Sequence, residues 1–192
     1  LTATASASNK VYDGTTTAAV TLTFTGLVGD ETLGQTVGAT FADKDVANAK
    51  TVTVNSITLS DDGDSGGLAD NYTISTGQTT TANITPKALT IAGITASNKT
   101  YNGNTTATID VSAATFSGLV DGDDVTVSAT GTFDNENVGT NKTVTLVETN
   151  AGDDVGNYTI TDQGTTTANI TAKTLTATAS ASNKVYDGTT TA

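Results

Sequence analysis

Apolar and hydroxyl-bearing residues alternate along much of this chain, as in Leu1-Thr2-Ala3-Thr4-Ala5, Val20-Thr21-Leu22-Thr23-Phe24 and Val52-Thr53-Val54. A period of two puts one set on each face of an extended backbone, which predicts half-buried strands of an antiparallel sheet. Between the alternating blocks lie Asp13-Gly14, Gly29-Asp30, Asp62-Gly63-Asp64 and Asp121-Gly122, residues suited to tight turns. No segment sustains a helical apolar stripe over ten residues. The expected fold is therefore all-β.

The pattern also repeats. Asn9-Lys10-Val11-Tyr12-Asp13-Gly14-Thr15-Thr16-Thr17-Ala18 recurs unchanged at Asn183 to Ala192, and a diverged copy begins at Asn98 and reads Asn-Lys-Thr-Tyr-Asn-Gly-Asn-Thr-Thr-Ala. Lys50-Thr51-Val52-Thr53-Val54 is matched by Lys142-Thr143-Val144-Thr145-Leu146, and Asn71-Tyr72-Thr73-Ile74 by Asn157-Tyr158-Thr159-Ile160. Thr81-Ala82-Asn83-Ile84-Thr85 is matched by Thr167-Ala168-Asn169-Ile170-Thr171. These matches divide the chain into a module over 1–88, a second over 89–174 and the start of a third over 175–192, a copy of 1–18. Six or seven strands per module suggest tandem immunoglobulin-like antiparallel β-sandwiches. A β-grasp-like sheet is the alternative, and it needs a helix the pattern does not offer. The junctions Ile84-Thr85-Pro86-Lys87 and Ile170-Thr171-Ala172-Lys173 contain no Gly/Ser linker, and Pro86 is the only proline, so an extended rod is expected.

Composition narrows the function classes. Eight Lys, no Arg and twenty acidic residues give a net charge of −12. Nucleic-acid binding relies on cations that displace phosphate counterions, and docking on anionic lipid relies on them too, so both are disfavoured. No apolar run is long enough for a membrane span. The absence of His and Cys removes the commonest general base and the thiol nucleophile, and no acidic pair recurs in a distinctive setting in both modules. An enzyme is not expected, and no catalytic or cofactor-binding residues are assigned.

Asp61-Asp62-Gly63-Asp64, Asp121-Gly122-Asp123-Asp124 and Gly152-Asp153-Asp154 gather oxygen ligands of the kind calcium takes. None has the spacing of a recognised calcium loop, so they read as solvated turns and no metal site is assigned. Tyr12, Tyr101 and Tyr186, with Tyr72 and Tyr158, recur at fixed points of the repeat and are expected to be buried anchors rather than ligand platforms. Asn71, Asn83, Asn157 and Asn169 each begin an Asn-x-Thr triplet, which in so Asn/Thr-rich a chain reads first as strand-edge structure.

The ordered series Lys-Val-Tyr-Asp-Gly-Thr-Thr, a Gly-rich turn, a Phe-containing strand, Lys-Thr-Val-Thr, Asn-Tyr-Thr-Ile and Ala-Asn-Ile-Thr resembles the YDG-type repeat domains of large bacterial surface adhesins of the filamentous-haemagglutinin kind. The second copy departs from it in having Tyr101-Asn102-Gly103, so any role needing the carboxylate of Asp13 is not shared. The resemblance implies an extracellular or cell-surface location and no catalysis. The expected function is a structural stalk or fibre repeat of a secreted or surface adhesin. A glycan- or protein-binding repeat is one alternative; a subunit that assembles into filaments by strand exchange is another. Expected partners are the neighbouring modules of the same chain and other copies in a fibre.

Overall fold

The computed structural model describes residues 1–64 and 66–191; Ala192, the last position of the third copy, lies outside them. The first repeat contains β1 (Thr2–Ala7), β2 (Lys10–Val11), β3 (Thr17–Ala18), β4 (Val20–Thr25), β5 (Gly34–Phe41), β6 (Ala47–Ser60) and β7 (Thr79–Thr85). The second contains β8 (Lys87–Ala92), β9 (Thr95–Ala96), β10 (Lys99–Thr100), β11 (Thr106–Ala107) and β12 (Ile109–Asp110). It continues with β13 (Thr115–Ser117), β14 (Thr126–Phe133), β15 (Gly139–Ala151), β16 (Tyr158–Thr161) and β17 (Thr165–Thr171). Among the described residues the only helical segments are two 3₁₀ turns, Ala69–Asn71 and Val155–Asn157. The chain is all-β, as the alternation predicts, and its sheets are curled.

Each repeat builds the same five-stranded sheet. The order is β2-β7-β6-β5-β3 in the first and β10-β17-β15-β14-β11 in the second. Most neighbours are antiparallel, but β2 runs parallel to β7, β10 to β17 and β8 to β16. Alternation cannot reveal these parallel pairs, because it reports which face a residue takes and not which strand lies beside it.

The two long strands are bulged at equivalent points, between Ala47 and Lys50 in β6 and between Gly139 and Lys142 in β15. Ala49 and Asn141 take positive φ there, 52° and 49°. The freed backbone N–H of each donates to a side-chain carbonyl, Asn83 Oδ1 at 2.8 Å and Asn169 Oδ1 at 2.7 Å. Asn83 and Asn169 in turn donate their own backbone N–H groups to Asn9 and Asn98, both at 2.7 Å. Two of the Asn-x-Thr triplets therefore recur because they satisfy a bulge, where an unpaired amide is costly.

Apolar residues of the alternating blocks form two cores. One lies within the second repeat and centres on Ile91, Ile94, Phe133, Val144 and Ile170. The other begins in the first repeat with Phe41, Val52, Val54 and Ile84, and continues through Leu89 into Val125 and Tyr158 of the second. It crosses the junction without a break. Residues 172–191 contain no strand and are exposed.

Ile170 of β17, 1% exposed, lies in the core confined to the second repeat, on that repeat's five-stranded sheet. Replacing it by Ala removes three methyl(ene) groups from a packed site and should cost about 2–5 kcal/mol. Urea unfolding of the Ile170→Ala protein should show a midpoint lowered to match.

Candidate functional site: the junction between the repeats

The repeated motif organises a turn before it reaches anything else. Lys10 Nζ donates to Asp13 Oδ1 at 2.7 Å, to the Thr15 carbonyl at 2.7 Å and to the Thr17 carbonyl at 3.2 Å, and it lies 5.7 Å from the centre of the Phe41 ring. Asp13 Oδ1 also accepts the Thr15 N–H and hydroxyl, both at 2.9 Å. Desolvation pushes the Asp13 carboxyl up, but the hydrogen bonds from Lys10 and from the Thr15 N–H and hydroxyl together outweigh it and leave the carboxyl lowered. In the second repeat Lys99 occupies the same place, 5.5 Å from Phe133, but its side-chain acceptor is Asn104 Oδ1 at 2.8 Å. The replacement of Asp13 by Asn102 is thus accompanied by replacement of Thr15 by Asn104, which recovers the lysine's acceptor. At residues 184–189 the same turn forms with no strand beside it: Lys184 pairs with Asp187 at 2.8 Å and Gly188 has φ 73°.

This turn aims Tyr12 at the second repeat. Its side chain is 1% exposed, and its hydroxyl donates to Asp123, 2.8 Å from Oδ2 and 3.1 Å from Oδ1. Tyr158 donates to the same Oδ2 at 2.5 Å, and the two rings meet edge to face with centroids 5.5 Å apart. Lys44 Nζ completes the cluster. It donates to the Tyr12 oxygen at 2.9 Å, lies 3.7 Å from Asp123 and forms an ion pair with Asp154. Asp123, with a side chain only 7% exposed, thus takes two neutral donors and one cation. A carboxylate buried without such partners would be strongly destabilising.

Backbone contacts surround the cluster. Val46 N–H donates to Oδ1 of the buried Asn157 at 2.9 Å, and the Asn157 amide donates to Asp45 at 3.2 Å. Gly14 closes the contact on the other side. A Cβ there would sit 2.8 Å from Val120 Cγ1, and φ is 75°, so both space and backbone require glycine. Tyr-Asp-Gly is therefore a latch: Tyr supplies the bond across the junction, Asp holds the turn and Gly allows close approach.

The structure sorts the five tyrosines. Tyr12 and Tyr158 are buried at the junction, and Tyr72 is half-buried in the first repeat, accepting the Val28 N–H at 3.0 Å and donating to Glu31. Tyr101 and Tyr186 are 39% and 92% exposed. The expectation that all five are buried anchors is corrected at these two, because the motif tyrosine is buried by the following repeat and not by its own. Two of the acidic turns are likewise more than solvated loops, since Asp123 and Asp154 are the acceptors of Tyr12 and Lys44. The third holds itself together, with Asp61 accepting the Ala69 N–H at 2.7 Å and Thr32 donating to Asp62. Among the described residues no group of three or more His, Cys, Asp or Glu is placed to hold a metal ion.

The YDG domain family model matches residues 1–82 and again 85–168. No curated protein and no solved structure matches the chain.

Tyr12→Phe keeps the ring and deletes one donor to a buried carboxylate. It should destabilise the protein by about 1.5–3 kcal/mol, as judged by chemical denaturation. The junction should also respond to pH in a set direction. Burial, then the bond to Asp123, pushes Tyr158 from the ordinary 10.0 to about 12, and hydrogen bonds to Asp154 and Tyr12 raise Lys44. Groups with raised values contribute fully below their unfolded values and lose that contribution as pH climbs through the folded ones. Asp154 is lowered by its bond to Lys44, so its contribution is lost as pH falls below the ordinary carboxylate range. Melting temperature should therefore hold level from about pH 5 to 9 and drop between about 10 and 12. Absorbance of tyrosinate near 295 nm, followed in parallel, should show late-ionising tyrosines, of which Asp123→Ala advances Tyr12 and Tyr158.

Proposed function

We infer that this chain, which belongs to the YDG domain family, is a structural repeat that fastens successive β modules end to end in a secreted or cell-surface stalk. The observation that carries the inference is the junction. Its apolar core continues from Phe41 and Ile84 through Leu89 to Val125 and Tyr158, and it holds a buried carboxylate, Asp123, whose donors come from both repeats. Domains that merely follow one another on a flexible chain do not share a core. A single residue, Pro86, separates β7 from β8, which leaves little slack for swinging.

The proposed shape is an extended rod of sandwich-like modules. A stalk works by keeping its length under load, and a junction of packed aromatics and paired charges resists bending better than a Gly/Ser linker does. The extracellular setting is supported by the acidic, Cys-free composition and by the resemblance to surface adhesin repeats. A glycan-binding role would draw support from an exposed aromatic, and Tyr101 is one. Its counterpart Tyr12, however, is used to bind the next repeat.

Small-angle scattering tests the proposal. Strands of eight to ten residues span roughly 30 Å, so two modules joined end to end should give a maximum dimension of roughly 60–80 Å. Tyr12→Ala should broaden the distance distribution as the junction loosens. A compact particle, or a wild-type profile already that of freely jointed domains, would contradict the stalk reading. So would capture of glycans by the two-repeat chain immobilised alone.

A further inference from the structure

The far end of the second repeat presents the same surface that the first repeat buries. A groove of about 590 Å³ is lined there by Tyr101, Asn137, Val138, Ala172, Lys173 and Leu175. Tyr101 corresponds to Tyr12 by the motif, and Leu175 to Leu89 by the junction sequence. Val138 corresponds to Val46, because Asn137 N–H caps on Asn135 as Asp45 N–H caps on Asp43. Tyr12 and Leu89 are each 1% exposed, whereas Tyr101, Val138 and Leu175 are 39%, 56% and 87% exposed. Gly103, the counterpart of Gly14, has nothing within 4 Å of where a Cβ would stand.

The opposite end of the first repeat presents the complementary surface. Its turn Val28–Glu31 has the hydrogen bond of the turn Val120–Asp123, and Tyr72 bonds that turn as Tyr158 bonds its own. Val28 is 69% exposed where Val120 packs against Gly14. One position differs in kind. The residue that precedes the 3₁₀ turn is Asp154 in the second repeat and Leu68, 51% exposed, in the first.

The geometry points to the Tyr101–Val138–Leu175 surface as a docking site for a further YDG repeat of the first kind, selected by charge. In the observed junction Lys44 faces Asp123 and Asp154, one cation against two carboxylates. The counterpart of Lys44 in the same turn is Glu136. Set against a repeat of the second kind, Glu136 would meet both Asp123 and Asp154, a like-charge contact that rejects that partner. Set against a repeat of the first kind it would meet one carboxylate, Glu31, rather than two, with Leu68 in the place of the second, so the like-charge cost is smaller there. Tyr101 would then donate to Glu31, Val138 N–H would donate to Asn71, and Leu175 would pack where Leu89 does. The sequence supports the same order independently, since residues 175–191 repeat 1–17 without change. In an array joined this way the two kinds of repeat would alternate. The inference rests on junction chemistry and stands whether or not the array serves as a stalk.

The test uses a chain in which residues 1–174 are followed by a complete second copy of 1–192, so that the new junction carries the natural sequence. Tyr101→Phe in the second copy leaves the inner Tyr101 as the only reporter, and its nitration by tetranitromethane is followed by peptide mass spectrometry. The inner Tyr101 should react about tenfold more slowly than Tyr101 of the 192-residue chain, in keeping with protection by a closed interface. Leu68→Asp in the second copy should return most of that reactivity, and Glu136→Lys in the first copy should restore protection. Equal reactivity of Tyr101 in the long and short chains would overturn the docking site. Protection indifferent to Leu68→Asp would overturn selection by charge. Circular dichroism of each variant separates these outcomes from misfolding.

Discussion

A single buried carboxylate, Asp123, organises this molecule. It faces the first repeat from the second and accepts hydrogen bonds from the hydroxyls of Tyr12 of the first and Tyr158 of its own, with Lys44 beside it. Removing a charge from water is costly, and the cost is offset only when every donor is in place. The carboxylate therefore does more than add attraction. It disfavours other arrangements of the two repeats, because separating them exposes Tyr12, Leu89 and Val125 to water and takes Tyr12 and Lys44 away from Asp123, leaving it Tyr158 alone. The apolar core supplies most of the adhesion across the junction, and the polar cluster fixes its orientation.

The recurrence of Tyr and Gly in all three copies of the motif, with Asp or Asn between them, follows from this. The three residues act on different neighbours, and only the tyrosine and glycine meet the adjoining repeat. Asp13 acts within its own turn, so it can be exchanged for Asn102 provided Asn104 replaces Thr15 as the lysine's acceptor. The turn at Lys184–Thr189 shows that this unit is local: its lysine, aspartate and threonine bond one another with no sheet to support them. A repeat that carries its latch preformed spends less ordering entropy on joining the next.

Much of the architecture was legible from residue patterning. The alternating Thr and Val blocks became β1, β4, β6 and β15, the Asp-Gly pairs became turns, and the run through Thr85-Pro86-Lys87 became a direct passage from β7 to β8. The parallel pairing of β2 with β7 was not legible, because two residues, Lys10 and Val11, carry no face pattern and their partners are Ile84 and Thr85. Nor was the partner of Tyr12, which lies 111 residues away. The acidic turn at Asp121–Asp124 resembled any solvated hairpin, since burial of Asp123 is a property of the assembled junction. A signal did exist in how the copies differ. Lys44 and Glu136 occupy the same turn with opposite charge, and Leu68 and Asp154 the same cap, and Lys44 and Asp154 are the two that pair across the junction. The bulge asparagines were visible as Asn-x-Thr triplets, but only the φ angles of Ala49 and Asn141 show what they satisfy.

If the Tyr12–Asp123–Lys44 cluster locks the two repeats together, they tumble as one rigid body. Backbone ¹⁵N relaxation of the intact chain addresses it directly, because rotational correlation times are obtained separately for amides of each repeat. One anisotropic diffusion tensor should be common to residues of β5–β7 and β14–β17, splitting into two faster ones in Tyr12→Ala. Independent tensors for the two repeats in the unmodified chain would contradict it.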